Sequence, residues 1–70
     1  MKLRQVVARN LRVLRKQKGL SQEELAFQAG INRNYVGQIE RKEKSPTVDM
    51  IEKLATALDI EPIEIFSKAP

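Results

Sequence analysis

Apolar residues recur along the chain at helical spacing, and turn-forming residues separate the apolar segments. In the first segment, Leu3, Val7, Leu11 and Leu14 follow one another at intervals of four, four and three residues. This spacing places them on one face of a helix, and it predicts a helix from Lys2 to Lys18. The glycine that follows is well suited to end this helix in a left-handed conformation.

Signals of helix ends predict two further helices. The segment Ser21-Gln22-Glu23-Glu24 has the sequence of a capping box, in which the serine hydroxyl and the last glutamate each accept a hydrogen bond from the other residue's amide. This motif predicts a helix from Gln22 to Ala29, which Gly30 would end. Asn32 is a favourable N-cap and predicts a third helix over Arg33–Lys42.

The rest of the chain predicts a loop and two more helices. Residues 43–46 form the loop, and Thr47 is suited to cap a fourth helix. The apolar face of that helix is Ile51, Leu54, Ala55 and Leu58. Pro62 suits the first position of a short final helix, because its missing amide costs nothing there. Five helices without a strand signal predict an all-α fold.

The window from Gln22 to Arg41 has the pattern of a helix-turn-helix. Ala26 stands where the two helices would cross closely, and Gly30 supplies the positive φ of the sharp turn. The apolar positions that would join the pair to the core are Leu25, Ala29, Ile31, Val36 and Ile39. In this motif the second helix projects into the major groove of duplex DNA. The window therefore predicts DNA binding by the third helix.

Composition and charge narrow the class of protein. A single domain is expected over residues 1–70. The absence of Cys and His removes disulfides, the commonest zinc ligands and the commonest general base, so neither an enzyme nor a cofactor is expected. No membrane span or signal peptide is evident, which predicts a cytoplasmic protein. Residues 1–45 carry 11 basic and 4 acidic side chains, whereas residues 46–70 carry 2 and 5, so the first part is the candidate polyanion-binding part.

Over residues 3–66 the sequence resembles helix-turn-helix proteins of the phage-repressor type (Cro and lambda-repressor-like, or XRE). The motifs that carry the resemblance are Arg12-Val13-Leu14-Arg15, Lys18-Gly19-Leu20-Ser21-Gln22-Glu23-Glu24-Leu25-Ala26, Gly30, Val36, Ile39-Glu40, Pro46, Lys53-Leu54-Ala55, Ala57-Leu58 and Glu64-Ile65-Phe66. The resemblance implies a five-helix fold, operator binding as a dimer and regulation of transcription. Residues 33–41 and 57–62 are also similar to controller proteins of restriction–modification systems. Where many members have glycine, this chain has Lys42 and Asp59, and both positions are expected to be left-handed.

The third helix supplies the candidate base-reading residues. Helical spacing places Arg33, Asn34, Gly37, Gln38 and Arg41 on one face. Arg favours guanine, and Asn and Gln favour adenine, so Arg33, Asn34 and Gln38 are predicted to contact bases. Gly37 would either give clearance in the groove or be a tolerated imperfection.

Other residues are predicted to support the contact with DNA. Tyr35 would meet a phosphate or a thymine methyl, or else cover the edge of the core. The resemblance implies that Gln22 contacts a phosphate or the start of helix three. Further candidate phosphate contacts are Lys42, Lys44, Ser45 and Thr47, and Arg41 is a further candidate contact with DNA. The family often pairs the positions of Arg15 and Glu40, which implies a partly buried salt bridge.

The end of the chain suggests an interface between two copies. Ile60 and Phe66 are expected to complete the core, whereas Ile63 and Ile65 cannot both point inward from one short helix. We therefore hypothesise a two-fold interface at Ile63 and Ile65, with recognition helices about 34–36 Å apart on a palindromic operator. The alternative to a homodimeric transcription regulator is a protein-interaction module, such as an antitoxin that binds a partner protein.

Overall fold

A computed structural model describes residues 2–67, which form four α-helices and a 3-10 helix. The elements are α1 (Leu3–Gln17), α2 (Gln22–Ala29), α3 (Tyr35–Glu40), α4 (Val48–Leu58) and the 3-10 helix (Pro62–Phe66). The ends of the predicted domain, residue 1 and residues 68–70, lie outside this range. The all-helical prediction is confirmed, but the fifth helix is not an α-helix. Pro62 begins it as predicted, and a segment of this length closes the tighter bonds typical of short 3-10 pieces.

The predicted helix starts are confirmed for α2 and α4. The Ser21 hydroxyl accepts from the Glu24 amide at 3.0 Å, and the Glu24 carboxylate accepts from the Ser21 amide at 2.7 Å. The Thr47 hydroxyl accepts from the Met50 amide at 3.1 Å. These bonds satisfy amides that have no partner inside the first turn of a helix.

The third helix is shorter than predicted at both ends. The Asn32 side chain accepts from the Asn34 amide at 2.8 Å, which forms a local turn and delays the first helical residue to Tyr35. At the other end Lys42 is left-handed, with φ 65°, so the chain leaves the helix after Glu40. The predicted range of 33–42 was therefore too long by two residues at each end.

One hydrophobic core joins the helices. Its fully buried side chains include Leu11, Leu25, Val36, Leu54 and Leu58. Helix α1 packs against α3 and the 3-10 helix, and α2 packs against α3 and α4. Leu3, placed by its spacing on the apolar face of α1, is 46% exposed because it lies in the first turn, at the edge of this core.

The 3-10 helix corrects two predictions about the end of the chain. Ile65 is fully buried, so it belongs to the core and not to an exposed interface, whereas Phe66 is 37% exposed. The physical reason is the three-residue period of the 3-10 helix, which places Ile63 and Phe66 on one side and Ile65 on another. Ile63 is 70% exposed, which confirms that the two isoleucines do not both point inward.

Buried Asn10 of α1 fixes this segment. Its side-chain amide donates to the carbonyl of Ile65 at 2.9 Å and to the carbonyl of Ser67. Asn10 is fully buried, and the hydrophobic spacing gave no sign of it.

Candidate nucleic-acid interface

The turn between α2 and α3 has the sharp geometry that the sequence predicted. Gly30 adopts φ 70° and ψ 35°, and the amide of Ile31 donates to the carbonyl of Ala26 at 3.0 Å. Ala26 is fully buried, so its methyl group fills the space available in the core beside α3. The turn is thus fixed by backbone conformation and by close packing, and it sets the angle at which α3 leaves α2.

The three predicted base-reading residues lie on the surface around the start of α3. Arg33 and Asn34 occupy the turn before the helix and are exposed, and Gln38 lies within the helix and is half-exposed. The Arg33 Nε lies 3.9 Å from the Glu23 carboxylate, and both side chains remain more than two-thirds exposed. A pair of this kind is worth little in free energy, so the Arg33 guanidinium is available to another partner.

Gly37 is buried, contrary to its predicted place on the exposed face of α3. The ends of the Gln22 and Arg41 side chains lie close to it. A Cβ built on Gly37 would lie 2.9 Å from both Gln22 Oε1 and Arg41 Nη1. The glycine therefore makes room for neighbouring side chains, which neither predicted role of Gly37 anticipated.

The predicted salt bridge between α1 and α3 is present and nearly buried. Arg15 donates from Nε and Nη2 to the two oxygens of Glu40 at 2.7 and 3.0 Å, and from Nη1 to the carbonyl of Leu20 at 2.7 Å. Gln22 adds a bond from Nε2 to Glu40 Oε1 at 3.0 Å. Gln22 thus contacts the end of α3, not its start, and one carboxylate joins α1, α2 and α3.

The loop after α3 contains an ion pair that the sequence analysis missed. Arg41 donates to the carboxylate of Glu43 from Nε at 2.8 Å and from Nη2 at 3.3 Å. This hydrogen bonding lowers the pKa of the Glu43 carboxyl and raises the pKa of Arg41. The left-handed residue Lys42 between them brings the two side chains together, and this conformation was the signal that could have revealed the pair.

The remaining predicted phosphate contacts lie on the exposed loop. The Lys44 ammonium lies 5.9 Å from the centre of the Tyr35 ring, within the range of a cation–π contact. The Ser45 hydroxyl accepts from Arg4 Nε at 2.8 Å, and the Thr47 hydroxyl caps α4. Each hydroxyl keeps its own proton, so both residues can still donate to an anion.

A groove lined largely by apolar side chains lies between the starts of α1 and α4 and the 3-10 helix. The apolar residues that line it are Leu3, Val7, Pro46, Val48, Ile51, Pro62 and Phe66. Val48 is 85% exposed, an unusual position for a β-branched apolar side chain on a small protein. Arg4 borders the groove on α1, and Asp49 and Glu52 border it on α4.

Residues 2–67 contain neither a membrane-spanning helix nor a cluster of metal ligands. None of the helices in this range combines the length and hydrophobicity of a membrane span. In the same range, Asp and Glu side chains form no group of three that could hold a metal ion.

Comparison with known proteins identifies the family of the chain. Residues 11–65 match the helix-turn-helix family. The chain is 50% identical over 58 residues to a hypothetical transcription factor of Neisseria meningitidis; the match covers 83% of this chain but 55% of that protein, so the chain spans about half of its length.

Two solved structures are also similar. The restriction–modification controller protein C.AhdI of Aeromonas hydrophila is 52% identical, with a TM-score of 0.86 over 90% of this chain and 96% of that chain. The controller protein C.Esp1396I, solved as a tetramer with its natural 35 base-pair operator, is 27% identical, with a TM-score of 0.84 over 94% of this chain and 87% of that chain.

Proposed function

Since the chain belongs to the helix-turn-helix family of XRE type, we propose that it is a transcription regulator that binds a specific duplex DNA sequence through α3. The observation that carries the proposal is the exposure of Arg33, Asn34 and Gln38 around the start of a rigidly oriented helix. Their donors and acceptors match base edges in the major groove, where Arg pairs with guanine and Asn or Gln with adenine. In this proposal these three residues contact the base edges.

The surrounding residues supply contacts with the DNA backbone. Lys42, Lys44 and Arg41 carry positive charge beyond the end of α3, and Ser45 and Thr47 offer hydroxyl protons. On the other side, the amides at the start of α2 carry the positive end of a helix dipole. Tyr35, with Lys44 over its ring, and Gln22, over Gly37, would lie between these two groups of contacts. Contacts of Lys42, Lys44, Ser45 and Thr47 with phosphates would fix the position of the protein on DNA without selecting sequence.

The proposed regulator acts as a homodimer on a palindromic operator. The C.Esp1396I assembly with its operator is a tetramer, and a two-fold pair would place two α3 helices about 34–36 Å apart, one turn of the duplex. We place the interface at the apolar groove together with Ile63, which shares a side of the 3-10 helix with Phe66. Ile65, which was expected at the interface together with Ile63, is not part of the proposed interface because it is buried.

The charges around the groove favour a second copy as its occupant. Arg4 on one border and the acidic pair of Asp49 and Glu52 on the other are opposite in sign. In a two-fold pair the same patch of each copy faces the other, so Arg4 of one copy can meet the acidic border of its partner. Exposed apolar side chains framed by such complementary charges are typical of an interface core and rim.

Selection of binding sites from random duplex DNA tests this function most directly. We expect the selected sequences to contain an inverted repeat with half-sites spaced by about one helical turn. The proposal would be wrong if the selection, carried out at low salt, enriched no sequence over the starting pool. Enrichment of a single half-site without a repeat would retain the DNA-binding function and remove the homodimer.

A further inference from the structure

Two polar side-chain ends converge over the middle of α3. A Cβ on Gly37 would lie 2.9 Å from Gln22 Oε1, 3.5 Å from Gln22 Cδ and 2.9 Å from Arg41 Nη1. The shortest of these distances are below ordinary van der Waals contact, so a methyl group at this position would push both side chains away. Both are the far ends of flexible side chains, and their displacement would cost the fold little.

Both side chains also donate hydrogen bonds to a carboxylate. Gln22 Nε2 donates to Glu40, which Arg15 fixes with two further bonds. Arg41 donates from two nitrogens to Glu43. Gly37 has no side chain, so it leaves space for the ends of these two bound side chains. These ends are the Gln22 amide oxygen, which accepts hydrogen bonds, and the Arg41 guanidinium, which donates them.

We infer that Gly37 is a specificity-determining position that acts through Gln22 and Arg41. The inference rests on the proposed DNA-binding function and deepens it. Gly37 would let the Gln22 amide and the Arg41 guanidinium lie side by side on the DNA-facing surface, as one donor–acceptor pair. This role differs from clearance for the DNA, because a methyl group would act first on the protein's own side chains.

The first experiment uses the free protein. In Gly37→Ala, the side-chain amide resonances of Gln22 should move in a nitrogen–proton NMR spectrum, while the melting temperature stays equal to that of the wild type or rises, since alanine is the better helix former. Gln38→Ala, one position further along α3, is the matched control and should leave those resonances in place. Unmoved Gln22 resonances in Gly37→Ala would overturn the inference without any use of DNA.

The second experiment is a double-mutant cycle on the selected duplex. Gly37→Ala should weaken binding by about tenfold, as expected for the loss of one good polar contact, and should change the preferred base at one position of each half-site. In a background of Gln22→Ala with Arg41→Ala, the same methyl group should weaken binding by less than about twofold, because nothing is left for it to displace.

The outcomes of this cycle separate the alternatives. An equal loss in both backgrounds would show that the methyl group meets the DNA itself, and this would overturn the inference while the proposed function stands. The inference would also be overturned if Gly37→Ala bound every duplex as the wild type does. A wild-type protein that prefers no duplex would instead remove the proposed function, and the inference with it.

Discussion

Glu40 is the residue at which the polar contacts of three helices meet. Its carboxylate accepts from Arg15 twice and from Gln22 once, and its side chain is 3% exposed. A buried ion pair is weak evidence of net stabilisation, because both charges lose their hydration. Its removal on one side only is costly, since the remaining charge stays buried without its partner. The orientation of α3 thus depends on one carboxylate that never reaches the surface.

We predict that Glu40→Ala lowers the free energy of unfolding by about 3 kcal/mol, because it leaves the Arg15 guanidinium without its anion in a nearly closed site. Thermal and urea unfolding monitored by circular dichroism measure this loss. The matched control is Glu23→Ala, which removes the exposed partner of Arg33 and should change stability by less than about 0.5 kcal/mol. Equal melting temperatures for the two variants would contradict the prediction.

Two cationic side chains near α3 should differ in what they contribute to DNA binding. Arg33→Ala should relax the preference for one base of each half-site, with a loss of about 1–3 kcal/mol on the preferred duplex. Lys44→Ala should weaken all duplexes alike and reduce the slope of log affinity against log salt by about one unit. Titrations of selected and scrambled duplexes at several salt concentrations measure both effects. If Arg33→Ala weakened selected and scrambled duplexes equally, Arg33 would be a backbone contact.

At the scale of elements, all four α-helices end in the same way. Each is followed by one left-handed residue: Gly19, Gly30, Lys42 and Asp59. The next amide then bonds to a carbonyl in the last turn, as in the pair of Ile60 with Ala55 at 3.0 Å. At three of the four ends, the apolar residue after the left-handed one is partly buried against the core, a contact that often accompanies this motif. At α3 that residue is Glu43, so an ion pair with Arg41 takes the place of the apolar contact at this helix end.

The left-handed residue after α4 gives a prediction for stability. Asp59→Gly should raise the free energy of unfolding by up to about 1 kcal/mol, because glycine adopts φ 57° without the strain of a Cβ. Chemical denaturation measures the gain. The control is Lys53→Gly, which introduces a glycine in the exposed middle of α4. It should lower the free energy of unfolding by about 1 kcal/mol, because glycine is a poor helix former. A loss in both variants would show that Asp59 is not strained.

The capping box of α2 makes this helix sensitive to acid. Bonds from the Ser21 amide and hydroxyl lower the pKa of Glu24 from its usual value of 4.5. The stabilisation is therefore complete above about pH 4.5 and is lost as the pH falls through the lower pKa of the folded protein. Amide exchange or chemical shifts of residues 21–24 should report this fraying below pH 4.5.

Glu24→Gln separates this effect from general acid unfolding. Glutamine keeps the reciprocal bond of the capping box but carries no titrating group, so the start of α2 should become insensitive to pH in the same window. The idea fails if α2 in this variant frays at the same pH as in the wild type.

At the scale of the whole molecule, the apolar groove lies at one side of the fold, joined to α3 by the loop of residues 41–46. Its lining residues come from α1, this loop, α4 and the 3-10 helix, so its shape exists only in the folded chain. Four of the five large apolar side chains exposed over residues 2–67 lie in it or beside it: Leu3, Val48, Ile63 and Phe66. The fifth, Phe27, is on α2. Such clustering favours an interface over random exposure.

A charge placed in this groove should prevent self-association. We predict that Val48→Asp is monomeric in sedimentation experiments at tens of micromolar, where the wild type forms dimers, and that it binds the inverted repeat more weakly than the wild type does. Since Val48 is 85% exposed, the variant should keep its fold. Phe27→Asp is the control on α2 and should leave the dimer intact. A wild type that stays monomeric with and without DNA would end the homodimer proposal.

The order of the helices and the sharp turn between α2 and α3 could be predicted from the amino-acid sequence. These features depend on local physics: hydrophobic spacing sets the faces of α1 and α4, hydroxyl caps fix two helix starts, and left-handed glycines fix the ends of α1 and α2. The resemblance to a known family added the bond between Arg15 and Glu40, which no local pattern contained.

Which residues of the short segments face inward depends on contacts made in the folded chain. The bond from Asn10 to the carbonyl of Ile65 joins residues 55 positions apart, and it fixes the segment in which Ile65 is buried while Ile63 and Phe66 are exposed. Gly37 lies on the polar face of its own helix, yet side chains from α2 and from the end of α3 cover it. Contacts between distant residues fix the 3-10 segment and bring Gln22 over Gly37, and the α-helical spacing assumed from the sequence did not contain these contacts.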